Sequence, residues 1–154
     1  MEPIVINFTP NATGRIIFHA EVMTADRLSL DTVSFKLDTG SDFTTLSYDD
    51  LTLLGYTEDS LRTCNIHGKA TSAAGYVDLR YIDNVSLKFG DREIQGCRIY
   101  FALGSRLNSL FGSDILRYFN YSVNYDTGEF ILREAATVPP RLYGETQLYI
   151  YSLD

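Results

Sequence analysis

The residues whose types could support chemistry lie together in one short acidic stretch, Asp38-Thr39-Gly40-Ser41. An alternating apolar strand, with Val33, Phe35 and Leu37 on one face, runs directly into the aspartate. A carboxylate placed where an apolar strand stops is held rigidly and partly removed from water, and such surroundings shift the pKa of a carboxyl group. Glycine supplies the backbone freedom for a turn after the strand. We call residues 38–41 the aspartate turn; by itself it is also typical of a plain structural turn.

The composition indicates a single globular domain spanning residues 1–154. Hydrophobic residues make up 45% of the chain and aromatic residues 13%, which suits one well-buried core. The net charge is −7 with interspersed signs, so no basic patch favours a nucleic-acid partner. No apolar run approaches the length of a membrane span, and residues 1–6 lack a signal-peptide pattern. We therefore expect a cytoplasmic protein in which Cys64 and Cys97 are reduced.

Alternating apolar residues predict a mostly β domain with one or two short helices. Strands are expected at 15–22, 33–38, 43–47, 61–67, 75–81, 85–89, 94–103, 121–125, 130–132 and 147–153. Ser47 is a good N-cap for a short helix that stops at Gly55, and a second short helix is expected to open at Ser113. The connection between Gly68 and Gly75 consists of small residues and predicts a mobile hairpin tip.

A second element follows the aspartate turn in the order that a known family requires. Leu110-Phe111-Gly112 runs directly into the predicted helix that begins at Ser113. Together with Asp-Thr-Gly-Ser at the end of an apolar strand, this resembles the retropepsin-like aspartic proteases, the single-domain relatives of pepsin. The Gly-x-Asp-x-Leu form of residues 112–116 is closest to bacterial-type members. The resemblance covers roughly residues 15–132 and implies a closed acid-protease β-barrel built as a twofold homodimer. Residues 133–154 form a C-terminal extension outside it, which we interpret as a possible dimer-interface strand.

The resemblance also implies roles for individual residues of the two motifs. Asp38 would be the catalytic residue, paired with its own copy across the dimer axis. Thr39 would brace the two turns, Gly40 would allow a close approach to the partner, and Ser41 would hydrogen-bond the outer carboxylate oxygen of Asp38. The element Leu110, Phe111 and Gly112 would pack behind the aspartate turn.

A flap is expected between the two motifs, closing over a peptide or protein substrate in extended conformation. Its residues would be Gly68, Lys69, Ala70, Thr71, Ser72, Ala73, Ala74 and Gly75. This flap lacks the doubled-glycine tip of the retroviral enzymes. The function implied is an aspartic endopeptidase that needs no cofactor or metal.

Three further features of the sequence bear on this interpretation. Asp126-Thr127-Gly128 repeats the tripeptide, but Glu129 follows it in place of serine and the flanking strands match a short exposed hairpin, so we predict a structural turn there. His19 and His67 are isolated and have no metal-ligand spacing around them. A dimer of the same fold that binds peptides or proteins without cleaving them stays open as an alternative, because fold does not guarantee activity.

Overall fold

Ten strands and three short helices make up the part of the chain that the computed structural model describes, residues 2–9, 14–25, 31–72, 75–104, 107–140 and 148–152. The strands are β1 (Ile4–Asn7), β2 (Ile17–Met23), β3 (Asp31–Leu37), β4 (Ile66–Ser72), β5 (Gly75–Phe89), β6 (Arg92–Ala102), β7 (Leu110–Phe111), β8 (Phe119–Asn124), β9 (Glu129–Glu134) and β10 (Tyr149–Ser152). The helices are α1 (Tyr48–Leu53), α2 (Glu58–Arg62) and α3 (Ser113–Leu116). The described chain is therefore mostly β, as predicted, with one short helix more than expected.

The strands form two sheets, and the larger one carries the aspartate turn. Its order is β10-β6-β5-β2-β3-β7, with β4 paired to β5 beside this path. Only β3 and β7 run parallel among the named strand pairs of the described residues. Thr45 then bridges both β6 and β7, at Tyr100 and Leu110. This arrangement brings the chain after Asp38 and the chain before Gly112 side by side.

A cluster of phenylalanine rings fixes the strands that lead into the aspartate turn. Phe18 of β2 lies 6.1 Å from Phe35 of β3 and 5.3 Å from Phe111 of β7, measured between ring centroids. Phe89 and Phe130 pack on the same Phe18 ring. All five side chains are buried, and truncating one such ring typically costs about 3–5 kcal/mol of folding free energy. The end of β3 is therefore anchored in the aromatic part of the core.

The helix that follows the aspartate turn forms as its sequence predicts. The Ser47 side chain accepts a hydrogen bond from Asp50 N and so caps α1, while Gly55 beyond the helix has φ +92°. Residues 61–67 were predicted as a strand, and this is wrong in part. Leu61 and Arg62 belong to α2, because Thr57 and Ser60 form a capping box that starts a helix there.

The strands of the β4–β5 hairpin are longer than the sequence predicted. Residues 68–72 belong to β4 itself and pair with β5 from Ser72 opposite Gly75. They are strand rather than the connecting tip that the small residues suggested, and the tip at 73–74 lies outside the described residues. In the β5–β6 hairpin, Gly96 has φ +78° where the register shifts, as is typical of a β-bulge.

The second sheet has the order β1-β9-β8, while the last strand, β10, belongs to the first sheet. The hairpin of β8 and β9 was predicted, whereas β1, which pairs with β9, was not. β10 runs antiparallel to residues 92–95 of β6 in the same chain. A role for residues 133–154 at a dimer interface stays a prediction. Across the described ranges, none of the helices has the length and apolar character needed to span a bilayer.

Candidate active site

The backbone of Asp38 is held from one side by the parallel strand β7. Lys36 and Leu37 of β3 pair with Leu110 and Phe111, and Asp38 N donates to Phe111 O at 3.0 Å. Leu37 N donates in the other direction, to Ile16 O at 2.9 Å. The end of β3 is therefore hydrogen-bonded on both sides, to Phe111 and to Ile16, while the Asp38 side chain stays partly exposed.

The aspartate turn closes on itself through two hydrogen bonds. Ser41 N donates to Asp38 O at 3.1 Å, and Gly40 N donates to Asp38 Oδ1 at 3.1 Å. Thr39 and Gly40 are exposed. Gly40 is not among the glycines with positive φ, so the turn itself does not need the backbone freedom we expected. The Asp38 carboxylate is thus oriented by the backbone N–H of Gly40.

Ser41 makes a different contact from the one that the resemblance implied. Its hydroxyl donates to Phe43 O at 2.8 Å and accepts from Phe43 N at 3.4 Å. A serine hydroxyl has one hydrogen to donate. In this chain that hydrogen is used two residues further on, and Ser41 shapes the segment after the turn rather than the Asp38 carboxylate.

Gly112 packs directly against the segment after the aspartate turn. A Cβ atom at this position would lie 2.6 Å from Phe43 O and 2.8 Å from Ser41 O. Ser113 N also donates to Ser41 O at 2.8 Å. Such distances are too short for any side chain, so glycine is required here by close backbone approach. The structure thereby brings the element Leu110, Phe111 and Gly112 together with the aspartate turn.

Asp114 provides a second connection, which we did not assign from the sequence. Its Oδ2 accepts from Thr44 N at 2.9 Å and its Oδ1 accepts from Thr44 Oγ1 at 2.6 Å. Thr44 Oγ1 accepts in turn from Gly112 N at 3.0 Å. Thr44 is fully buried, and hydrogen bonds to a carboxylate are the stronger kind. The available signal was the aspartate in the Gly-x-Asp-x-Leu form of residues 112–116.

A third polar connection joins the chain before Gly112 to α1. Ser109, which is 7% exposed, donates from Oγ to Asp50 Oδ2 and accepts from Ser47 N at 2.9 Å. Thr45 Oγ1 donates to Asn108 O at 2.6 Å. Segments 43–50 and 108–114 therefore interlock through backbone and buried side-chain bonds, with Asp38 presented at one end.

Comparison with known proteins agrees with this geometry. A family model described as aspartyl protease matches residues 21–115, which are more than half of the chain and include both motifs. The chain belongs to the aspartyl protease family. The search of curated proteins found no match.

One solved structure extends the agreement to the fold. The crystal structure of a retropepsin-like aspartic protease from Rickettsia conorii is similar over 86% of this chain and 99% of that chain, with a TM-score of 0.59 and 22% sequence identity. At that identity the similarity shows the fold alone. The predicted retropepsin-like fold is therefore confirmed.

The residues predicted to form the flap fall in a long two-stranded hairpin of this aspartyl protease chain. We define the flap hairpin as residues 66–72 and 75–82, which are β4 and the first half of β5. Gly68, Lys69, Ala70, Thr71, Ser72 and Gly75 lie in its paired strands, and Ala73 and Ala74 fall outside the described residues. Arg80 fastens its base, because its Nη1 donates to Arg62 O at 3.0 Å and to Cys64 O at 2.9 Å. Contact of this hairpin with a substrate stays a prediction.

The second Asp-Thr-Gly of the chain forms the turn between β8 and β9. Asn124 Oδ1 accepts from Asp126 N at 3.0 Å and from Thr127 N at 3.3 Å, and Gly128 has φ +68°. A Cβ on Gly128 would lie 2.4 Å from Phe8 O. Asp126 is exposed in an ordinary hairpin turn of the second sheet, whereas the aspartate turn follows β3 of the first sheet.

The two histidines lie on different elements. His19 on β2 is exposed, and its Nδ1 is 3.0 Å from Ser34 Oγ. His67 on β4 contacts the rings of Phe43 and Tyr100, which lie outside the flap hairpin. Among the described residues, no group of three or more His, Cys, Asp or Glu side chains is arranged to hold a metal ion.

Proposed function

We propose that this chain is an aspartic endopeptidase that works as a twofold homodimer, with Asp38 of each subunit forming the catalytic dyad. The observation that carries the proposal is the interlock of the aspartate turn with residues 109–114. It fixes the backbone of Asp38 while leaving its side chain partly exposed and Thr39 and Gly40 exposed. Membership of the aspartyl protease family supports the same conclusion.

The chemistry follows from placing two carboxylates against each other. Two such groups in contact do not both ionise, so the pair shares one proton and supplies a base and an acid together. The ionised aspartate takes a proton from a water molecule as the water oxygen attacks the peptide carbonyl carbon. The protonated aspartate gives its proton to the carbonyl oxygen. Collapse of the tetrahedral intermediate then breaks the C–N bond. The aspartate that took the water proton gives it to the leaving nitrogen, and the other aspartate takes a hydroxyl proton as the carbonyl re-forms.

The second aspartate of the dyad must come from another copy of the chain. Asp126, the other aspartate in this tripeptide, is part of the β8–β9 turn. A twofold axis through the aspartate turn brings each Asp38 against its own copy, since an isologous interface pairs identical patches. The exposed Thr39 and Gly40 would then be buried in the dimer, with Thr39 bracing the partner turn.

The proposed substrate is a peptide or an unfolded protein segment in extended conformation. The flap hairpin offers a two-stranded cover on the side of Phe43, where His67 contacts the segment after the aspartate turn. Closure over an extended peptide would exclude water and orient the scissile bond. We place the enzyme in the cytoplasm, a proposal supported by Cys64 and Cys97, which are not joined by a disulfide bond.

The decisive experiment compares Asp38→Asn with Asp126→Asn. An unfolded protein and a peptide library serve as substrates at acidic and neutral pH, and sedimentation velocity measures the dimer. We expect Asp38→Asn to abolish cleavage and retain the dimer, while Asp126→Asn cleaves like the wild type. Equal loss in both variants would show that the dyad is misassigned. If the wild type binds peptides in both conditions without cleaving any, the protein is a binding module of the same fold.

A further inference from the structure

Three aromatic rings connect the flap hairpin with the segment that follows the aspartate turn. His67 of β4 lies 5.2 Å from Phe43 and 5.5 Å from Tyr100, between ring centroids, at interplanar angles of 66° and 83°. Phe43 and Tyr100 are 4.6 Å apart at 57°. Edge-to-face geometry of this kind is the favourable arrangement for ring pairs. His67 thus contacts two rings that belong to the body of the domain.

Tyr100 is the fixed member of this cluster. Its side chain is 0% exposed, and both its backbone N–H and its backbone C=O bind the segment after the aspartate turn. Tyr100 N donates to Thr44 O at 2.9 Å, and Leu46 N donates to Tyr100 O at 3.0 Å. Because Thr44 is also the residue that Asp114 binds, the rings of Phe43 and Tyr100 are rigidly connected to the interlocked segments.

The regular strand pairing of the flap hairpin is interrupted at His67. The pairing of β4 with β5 shifts register between Ile66 and Gly68, so His67 lies at a bulge. On the opposite strand, Arg80 binds the carbonyl groups at the end of α2. Both strands are therefore fastened to the domain at this level, whereas residues 69–71 pair with residues 76–78 of the same hairpin.

We propose that His67 is a positioning residue, which packs on Phe43 and Tyr100 to hold the base of the flap hairpin at a set height above Asp38. This inference rests on the proposed peptidase function. Phe43 is five residues after Asp38, and its backbone carbonyl receives the Ser41 hydroxyl, so the same residue contacts both the aspartate turn and the hairpin. The contact between the rings of His67 and Phe43 therefore sets the position of the flap hairpin relative to the aspartate turn.

The test compares His67→Ala with His67→Phe, which restores a ring of similar shape. For His67→Ala we expect KM for a peptide substrate to rise about three- to tenfold with a smaller change in kcat, the range that loss of one or two ring contacts gives. His67→Phe should restore KM to within about twofold. His19→Ala, on an exposed face of β2, is the matched control and should leave both constants unchanged.

Amide hydrogen exchange of residues 66–72 and 75–82 provides a readout that does not depend on cleavage. Faster exchange there in His67→Ala, reversed in His67→Phe, is the expected result. Unchanged exchange in His67→Ala would overturn the inference, whether or not the protein cleaves peptides. If His67→Ala exchanges faster but its KM is unchanged, His67 holds the hairpin without positioning the substrate, and the inference is overturned. A wild type that cleaves nothing refutes the proposed function, and with it the substrate role of His67.

A double-mutant cycle with Phe43→Leu identifies the partner of His67. If His67 and Phe43 act through their mutual contact, the two substitutions should not add. The KM of the double variant should then exceed the higher of the two single-variant KM values by no more than about twofold. Independent, multiplying effects would show that His67 acts through other neighbours and would overturn the proposed coupling.

Discussion

Asp114 and Thr44, which are 70 positions apart in the chain, are joined by two hydrogen bonds of 2.9 and 2.6 Å. Both Thr44 donors, the backbone N–H and the hydroxyl, are directed at one carboxylate. The Thr44 oxygen accepts from Gly112 N in turn. The carboxylate therefore holds the segment after the aspartate turn in contact with the glycine behind it, without itself being part of the proposed dyad.

The Asp114→Asn variant tests this connection. An amide has one acceptor oxygen in place of two, so one Thr44 donor loses its partner or meets an N–H group. Loss of a charge-assisted bond at a buried donor predicts a decrease of about 1.5–3 kcal/mol in the free energy of unfolding. We also expect kcat/KM to fall, because Asp38 is positioned through the same segment. Urea denaturation and peptide cleavage measure the two effects.

Asp49→Asn is the matched control for Asp114→Asn. Asp49 is an exposed carboxylate in the first turn of α1, and its removal should change stability by only about 0.3–1 kcal/mol through the helix dipole. Equal losses in the two variants would contradict a specific role for Asp114.

Gly112→Ala tests the close approach behind the aspartate turn. The added methyl group would lie 2.6 Å from Phe43 O and 2.8 Å from Ser41 O, both backbone atoms, so the two segments must separate. Over-packing of this kind costs about 1–3 kcal/mol, and we expect kcat to decrease at least tenfold because Asp38 shifts with Ser41. Thermal unfolding and steady-state kinetics are the measurements. Gly68→Ala, which meets no atom within 4 Å, should keep its melting temperature.

The sequence predicts the elements that are local and misses the contacts that are not. The strand before Asp38, the capped helix α1 and the β8–β9 hairpin all carry their signals within a few residues. The Asp114–Thr44 bonds join distant segments, so only the fold reveals which donors the carboxylate meets. The same holds for β1, whose four residues become a strand by pairing with β9.

Two local predictions were wrong where weak signals competed. Residues 61–67 were predicted as a strand, but the capping box of Thr57 and Ser60 starts a helix that includes Leu61. That box has serine where glutamate or glutamine is the usual signal. Residues 68–72 are small and suggested a tip, yet cross-strand pairing with β5 extends the strand through them.

The ion pair of Arg98 and Asp83, which is partly buried beside the flap hairpin, is expected to contribute more to stability than an ion pair on the surface. Arg98 binds Asp83 through Nε and Nη2 at 2.7 and 3.2 Å, and its side chain is only 7% exposed. Burial lowers the pKa of Arg98, but the hydrogen bond and charge of Asp83 outweigh it, so the pKa is raised overall. Asp83→Asn removes that charge, and we expect about 1.5–3 kcal/mol less stability in urea.

The surface pair of Lys88 and Glu21 is the control for Asp83→Asn. These side chains are 38% and 42% exposed and 3.5 Å apart. Glu21→Gln should change the free energy of unfolding by no more than about 1 kcal/mol. If Glu21→Gln lowers the free energy of unfolding more than Asp83→Asn does, burial does not strengthen the Arg98–Asp83 pair.

The buried thiol of Cys97 predicts how stability depends on alkaline pH. Burial, and secondarily the charge of Asp114, raise the pKa of Cys97 above its ordinary value of 9.0. In the folded protein the thiol therefore stays protonated when the unfolded chain ionises, so this residue contributes no pH dependence below about pH 9 and lowers stability above it, by about 1.4 kcal/mol per pH unit. Urea unfolding at pH 8, 9 and 10 measures the slope. Cys97→Val keeps an apolar side chain of similar size and should unfold with a shallower pH dependence; parallel curves for variant and wild type would show that the thiol ionises equally in both states.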